Sequence, residues 1–185
     1  GRRRLAVLPC GVATDRFRPL PRAEARERLG LDPDAPVLLF PADPARPGKR
    51  HDRAAEVAAA AGARLLTAGS VDPADMPLWV NAANAVLVPS DHEGFGLAVL
   101  EALACDVPVL ATPTGIHDVV LPGITGTLCA PYEREAWAAA VAPHVAAADP
   151  RVAGRERAEL YGARPMARRV LDAWRELLGE APETA

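Results

Sequence analysis

The sequence predicts a single-domain α/β protein, doubly wound around a mostly parallel sheet. Short apolar runs of strand length alternate with longer helical stretches through most of the chain, the pattern of successive βαβ units. One unit is uninterrupted. Ala85–Val88 reads as a buried strand, Glu93-Gly94-Phe95-Gly96 as a polar turn, Leu97–Cys105 as an apolar helix and Val107–Ala111 as a second buried strand. Two strands joined through a helix must run parallel, and their crossovers should be right-handed.

The remaining elements follow in order. Leu5–Leu8 is a short apolar run ended by the turn Pro9-Cys10-Gly11-Val12, and Phe17 and Pro19 lie in an irregular stretch. A helix is expected over Pro21–Leu29, with Gly30 at its C-terminal cap. Val37–Phe40 is the next buried strand. The basic, proline-studded loop Pro41–Asp52 leads from it into a helix over about Arg53–Ala61. Arg64–Ala68 reads as a strand ending at Gly69-Ser70, and Asp72-Pro73 as the start of a helix to Ala83 in which Pro77 breaks the first turn. After Thr112, the turn Pro113–Ile116 gives a short helical piece, His117–Leu121, then an edge strand, Gly126–Cys129. Helices are expected over Glu133–Ala148, Arg151–Tyr161 and Pro165–Leu178, the last with Val170, Leu171, Trp174 and Leu177 on one face. Residues 1–178 form the domain, and Gly179–Ala185 is expected to be a disordered tail.

Composition narrows the function classes. Half the residues are apolar and 24% charged, ordinary for a globular protein, and a formal charge of −3 gives no reason to expect nucleic acid. No apolar run approaches the roughly 20 residues of a membrane span. The Gly-Arg-Arg-Arg start lacks the apolar segment of a signal peptide; with Gly rather than Met first, the chain reads as a piece of a longer protein or a processed form. Cys10, Cys105 and Cys129 fit neither a disulfide framework nor a zinc site, and a reducing cytoplasm is the simplest setting.

Three loops at strand C-termini carry polar groups, where open α/β sheets bind ligands. The first holds Arg46, Lys49 and Arg50; Lys49 is the only lysine in the chain, and lysine is a compact phosphate-binding charge. The second is the turn Glu93–Gly96, where Gly94 and Gly96 allow close backbone approach and a helix start offers free N–H groups to an anion. The third is Thr114-Gly115. Glu101 is the only charge on the helix that follows Gly96. A buried carboxylate needs satisfaction, and its two acceptor oxygens suit a vicinal diol. Cations, helix N–H groups and a diol acceptor together describe a site for a nucleotide sugar. Blander readings stand beside each feature: a solvated basic loop, Glu93 on the helix dipole, and Glu101 met by an arginine. His51, His92, His117 and His144 have no metal-ligand spacing, and His117 is expected at the surface. Trp79, Trp137 and Trp174 read as core or domain-edge anchors.

Glu93-Gly94-Phe95-Gly96-Leu97 with Glu101-Ala102-Leu103-Ala104, then Pro108-Val109 and Thr125-Gly126, closely resembles the signature of retaining glycosyltransferases of family 4. Pro9-Cys10-Gly11-Val12 with Phe17-Arg18-Pro19 resembles the segment that enters the second domain of those enzymes. The resemblance covers roughly residues 5–150. It implies one Rossmann-like domain, half of a GT-B fold, that binds a UDP- or GDP-linked sugar and needs no metal or other cofactor. By that resemblance Glu93 contacts the donor sugar, Glu101 the ribose hydroxyls, and the Phe95-Gly96-Leu97 backbone the sugar or phosphate. Lys49 with an arginine beside it neutralises the departing diphosphate. The family places an arginine about five residues before the lysine, where Pro44 stands here, and Arg46 is taken as its replacement. Its Gly-Gly-x-x-Glu pattern is represented by Thr114-Gly115-Ile116-His117-Asp118, and Asp106 replaces a helix-end glycine. An N-terminal domain holding the acceptor is implied and absent. The resemblance therefore implies an isolated chain inactive without that domain, an apolar face left for it, and a tendency to dimerise through that face. Basic surface near Arg2–Arg4 would suit a peripheral contact of the full enzyme with anionic membranes. The alternative is a stand-alone nucleotide or nucleotide-sugar binding module. A nicotinamide site is disfavoured, because Gly94-x-Gly96 is followed by Val99 rather than the third glycine.

Overall fold

Three of the five strands are apolar and buried along their whole length, so helices must cover both sides of the sheet. The computed structural model, which describes residues 6–179, shows how. Its order is α1 (Arg22–Leu29), β1 (Val37–Phe40), a 3-10 turn (Pro47–Lys49), α2 (His51–Ala60), β2 (Arg64–Thr67), α3 (Met76–Ala82), β3 (Ala85–Val88), α4 (Leu97–Ala104), β4 (Val109–Ala111), α5 (His117–Val120), β5 (Leu128–Cys129), α6 (Arg134–Ala146), α7 (Arg155–Glu159) and α8 (Ala163–Leu178). The strands form one parallel sheet in the order β2-β1-β3-β4-β5. The doubly wound prediction holds. Arg2–Arg4, Leu5 and the tail beyond Gly179 lie outside the described residues.

Alternate side chains of β1 enter two cores. Val37 and Leu39 join Val86, Val99, Leu103 and Val109 on one face; Leu38 and Phe40 join Val57, Leu87, Trp137 and Val141 on the other. Helices α2 and α6 pack together over the second core, while α1 with α3 and α4 with α7 build the first. Trp137 is fully buried, with its indole N–H donating to the Pro131 carbonyl at 3.1 Å, whereas Trp174 is 60% exposed.

Local differences from the sequence reading have simple causes. Pro77 occupies the first turn of α3 without breaking it, because its missing N–H has no intrahelical acceptor there. Strand β4 starts at Val109, after Pro108, which has no N–H to give a ladder. Asp106 adopts φ 56°, and its Oδ1 accepts from the Gly154 and Arg155 N–H groups at 3.0 and 2.8 Å. The residue standing in for a helix-end glycine therefore ends α4 and caps α7.

Arg26 is the polar centre of the first core. It is fully buried and donates to the carbonyls of Ala82, Asp32, Pro33 and Ala35 and to Asn84 Oδ1, at 2.7–3.2 Å. Burial lowers its pKa to about 10, which leaves it charged at neutral pH. The Asn84 amide accepts from the Val37 N–H and donates to the His144 carbonyl, joining β1 to α6. In α8 the reverse holds: Leu171, Trp174, Leu177 and Leu178 are 48–73% exposed along one helix. No helix among the described residues is long and apolar enough to cross a membrane. Arg26→Ala strands four carbonyls and is expected to cost on the order of 3 kcal/mol, read as a lowered urea midpoint at unchanged m-value; an unchanged midpoint would refute the central role given to it.

Candidate functional site

In this strand order β1 is flanked by β2 and β3, and the chain leaves β1 in opposite senses on its two sides. The crevice at such a switch point is where doubly wound sheets take ligands. Two loops border it, residues 41–50 after β1 and 89–96 after β3. They are tied together by the Asp91 N–H donating to the Gly48 carbonyl at 2.9 Å. Lys49, at the end of the 3-10 turn, thereby reaches Glu93. Its Nζ donates to Oε1 and Oε2 at 2.7 and 2.6 Å, and the two side chains are 18% and 8% exposed. Ser90 Oγ donates a third bond to Glu93 Oε1 at 2.7 Å, and the Thr112 hydroxyl donates to the Ser90 carbonyl. Beneath them, the cleft between Phe40, Lys49, Val88 and Ala98 holds about 20 Å³, room for a water and none for a nucleotide.

The turn before α4 is interlocked with the turn before α5. The Ile116 N–H donates to the Phe95 carbonyl at 2.8 Å. Gly96, at φ 105°, presses on His117, where a Cβ would stand 2.5 Å from Nε2; Gly115, at φ 61°, would put a Cβ 2.5 Å from the Phe95 oxygen. Both glycines are thus required by the chain itself. Gly94 differs, since a Cβ there meets nothing within 4 Å; its bareness leaves the turn's outer face open. The N–H groups of Gly96 and Leu97 meet no acceptor among the described residues, the condition of any helix start.

His117 corrects the surface expectation. It is fully buried, its Nδ1–H donates to the Thr112 carbonyl at 2.8 Å, and Nε2 has no partner, like Thr114 Oγ1 beside it. Burial holds its pKa below the usual histidine range, opposed first by the hydrogen bond to the Thr112 carbonyl and then by the Glu93 charge. Ser90 and Thr112 were missed as well, because single hydroxyls near strand ends carry no spacing signal.

The other predicted residues separate into groups. Arg46 is exposed, one 3-10 turn before Lys49, and its side chain has no partner among the described residues. Arg50, in a left-handed conformation, is taken up by Asp52 at 2.6 Å and Asp91 at 3.3 Å; Arg53 also pairs with Asp91, at 2.8 Å. Glu101 lies on α4 beyond the free N–H groups, apart from the Lys49–Glu93 pair. Burial raises its pKa and the Arg16 charge lowers it. Leu97 is 38% exposed at the helix start.

A half-domain of the GT-B type, with its polar loops gathered at the sheet's switch point, is the class this geometry defines. Residues 38–146 match the family described as Glycosyl transferases group 1, and the chain belongs to that family. It is 33% identical to the D-inositol 3-phosphate glycosyltransferase of Thermobispora bispora, over 75% of this chain and 42% of that protein. It is 34% identical to the Mycobacterium avium protein of the same name, over 84% and 44%. The chain therefore spans less than half the length of these relatives. Among solved structures it resembles sucrose-phosphate synthase from Thermosynechococcus elongatus, at TM-score 0.67 and 26% identity over 93% of this chain and 52% of that one. It also resembles the C-terminal domain of a group 1 glycosyl transferase from Francisella tularensis, at TM-score 0.65 and 18% identity, over 83% of this chain and all of that domain.

Gly96→Ala combines a strained φ with the collision at Nε2 and is expected to cost about 3 kcal/mol. The double variant with His117→Ala should lose less than the two single losses summed. Additive losses in denaturant titrations would show that the two residues do not touch.

Proposed function

We propose that the chain is the donor-binding half of a family 4 glycosyltransferase that transfers sugar with retention from a nucleotide diphosphate. The acceptor would be held by an N-terminal domain. The observation that carries this reading is the Lys49–Glu93 pair at the switch point, beside the unclaimed N–H groups of Gly96 and Leu97. A diphosphate entering there meets Lys49, the helix start and Arg46, whose side chain has no partner among the described residues, and draws the ammonium from Glu93. The released carboxylate then accepts from sugar hydroxyls, and Glu101 from the ribose diol. As the glycosyl bond breaks, Lys49 and Arg46 neutralise the charge growing on the leaving diphosphate, with no metal assigned a part. The free thiols Cys10, Cys105 and Cys129 fit a reducing cytoplasm.

A second reading is a nucleotide or nucleotide-sugar binding module that acts alone. Against it stands the bare apolar face of α8, which suits a domain on the same chain.

Calorimetry with UDP, GDP, ADP, UDP-glucose and GDP-mannose tests the donor site. Lys49→Met is expected to weaken nucleotide binding about tenfold, or ~1.4 kcal/mol. Glu93→Gln should keep or tighten binding of the bare diphosphate, since its competitor for Lys49 is gone, and abolish any gain from the sugar. No binding by the parent chain, or Lys49→Met binding unchanged, overturns the assignment. For α8, light scattering over a concentration series should show association that Trp174→Glu with Leu177→Glu removes; a monomer throughout counts against an adhesive face.

A further inference from the structure

The Lys49–Glu93 pair is only as well placed as the two loops that carry it, and those loops are gripped from outside the crevice by α2. Arg53, in the first turn of that helix, reaches the end of β3. Its Nη1 donates to the Pro89 carbonyl at 3.0 Å and pairs with Asp91 Oδ1 at 2.8 Å. Asp91 in turn gives its N–H to the Gly48 carbonyl at 2.9 Å. Asp91 stands two residues before Glu93, and Gly48 immediately before Lys49, so this one backbone bond joins the bases of both charged side chains. Arg53 is itself held. Its guanidinium carbon lies 5.2 Å from the centre of the Tyr132 ring, and Tyr132 donates its hydroxyl to Glu56 Oε2 at 2.6 Å. The Tyr132 ring meets the fully buried Trp137 edge-on, with ring centres 5.6 Å apart. The Arg53 side chain is 19% exposed as a result.

We propose that Arg53 is a positioning residue of the donor site: through Pro89 and Asp91 it fixes the loop after β3 to the loop after β1, and so keeps the Lys49 ammonium on the Glu93 carboxylate where a diphosphate enters. Its consequence for binding rests on the donor-site reading, to which it adds a residue from outside the three crevice loops. The neighbouring arginine cannot take its place. Arg50 lies 3.3 and 3.4 Å from the Asp91 oxygens, but its shortest bond, at 2.6 Å, goes to Asp52, and it belongs to the loop that has to be held. An exposed ion pair by itself contributes little. This one is backed by a second bond from the same nitrogen to a backbone carbonyl and by an aromatic face under the cation. Its effect is order more than stability. Charged side chains on two independent loops lose freedom each time they meet; loops already clamped have lost it beforehand, and Arg53 preorganises the pair in that sense.

Lys49 is the only lysine in the chain, so isotope-labelled lysine gives a single side-chain ammonium signal in nuclear magnetic resonance. Held by two bonds to Glu93, that ammonium exchanges its protons slowly enough to be seen, and in Glu93→Gln the signal should broaden away. Arg53→Met keeps a stem over Tyr132 and removes the guanidinium. It should broaden the signal likewise and weaken UDP-glucose or GDP-mannose binding several-fold in calorimetry. Arg53→Lys should restore both, because the two bonds leave one nitrogen, which an ammonium can replace. Asp91→Asn, which keeps the N–H bond to Gly48, should reproduce Arg53→Met, and the two together should lose no more than either alone. Should Arg53→Met fail to fold, Asp91→Asn carries the same comparison. In a Lys49→Met background, neither change should weaken binding further. The proposal is overturned if the parent chain shows no such signal, if Arg53→Met or Asp91→Asn leaves it sharp, or if either weakens binding equally with and without Lys49. If the parent binds neither sugar nucleotide, or Lys49→Met binds as tightly as the parent, the donor-site reading fails; the lysine signal alone then decides whether Arg53 holds the pair.

Discussion

An ammonium on the loop after β1 meets a carboxylate on the loop after β3 only because those strands are neighbours in the sheet, although a complete strand and two helices separate them in sequence. That adjacency is the constraint behind the rest of the site. It requires β2 to be laid on the far side of β1, and so requires right-handed crossovers over both faces and two cores rather than one. Lys49 and Glu93 then sit where the switch in winding opens a crevice, with the Asp91–Gly48 backbone bond holding the loops in register. An ion pair this enclosed is costly to desolvate. The Ser90 hydroxyl, positioned by Thr112, offsets part of that cost by satisfying Glu93 from the other side.

A second constraint is steric. The turns before α4 and α5 occupy nearly the same space, and two glycines in left-handed or extreme conformations let them do so. In most turns glycine serves the backbone torsion alone. Here Gly96 serves both torsion and contact, because His117 fills the volume its side chain would need. The consequence is a rigid helix start whose N–H groups face outward, the preorganisation an anion site requires.

The sheet, most helix boundaries and the turn that sets Glu93 just before α4 were readable in the sequence because each depends on local pattern: apolar runs of strand length, caps, and glycines flanking an acid. What escaped depends on distant packing. His117 sits four residues beyond a proline in a polar-looking turn, and only the arrival of Gly96 from another loop buries it. Arg26 looks like one more charge on a strongly polar helix; its burial is decided by carbonyls from the 32–35 loop and from Ala82. The loop 46–50 offered three cations in sequence, and the structure divides them. Lys49 turns inward to Glu93, Arg50 is consumed by Asp52 and Asp91, and Arg46 stays outside. Spacing cannot make that division, because it turns on the left-handed backbone at Arg50 and on acids from two other elements.

The same division sets the charge state of the resting site. With Lys49 held by Glu93 and Arg50 by two aspartates, the crevice presents no strong positive field, and Arg46 and the helix start are what remain to attract an anion. On the proposed donor-site reading a diphosphate would compete with Glu93 for Lys49, and the competition would be lessened when the ligand also brings hydroxyl donors to the displaced carboxylate. Bare phosphate brings none. On the proposed donor-site reading a nucleotide sugar would bring them for both glutamates at once, and a site whose lysine is paired with its own carboxylate would favour the complete donor over its fragments.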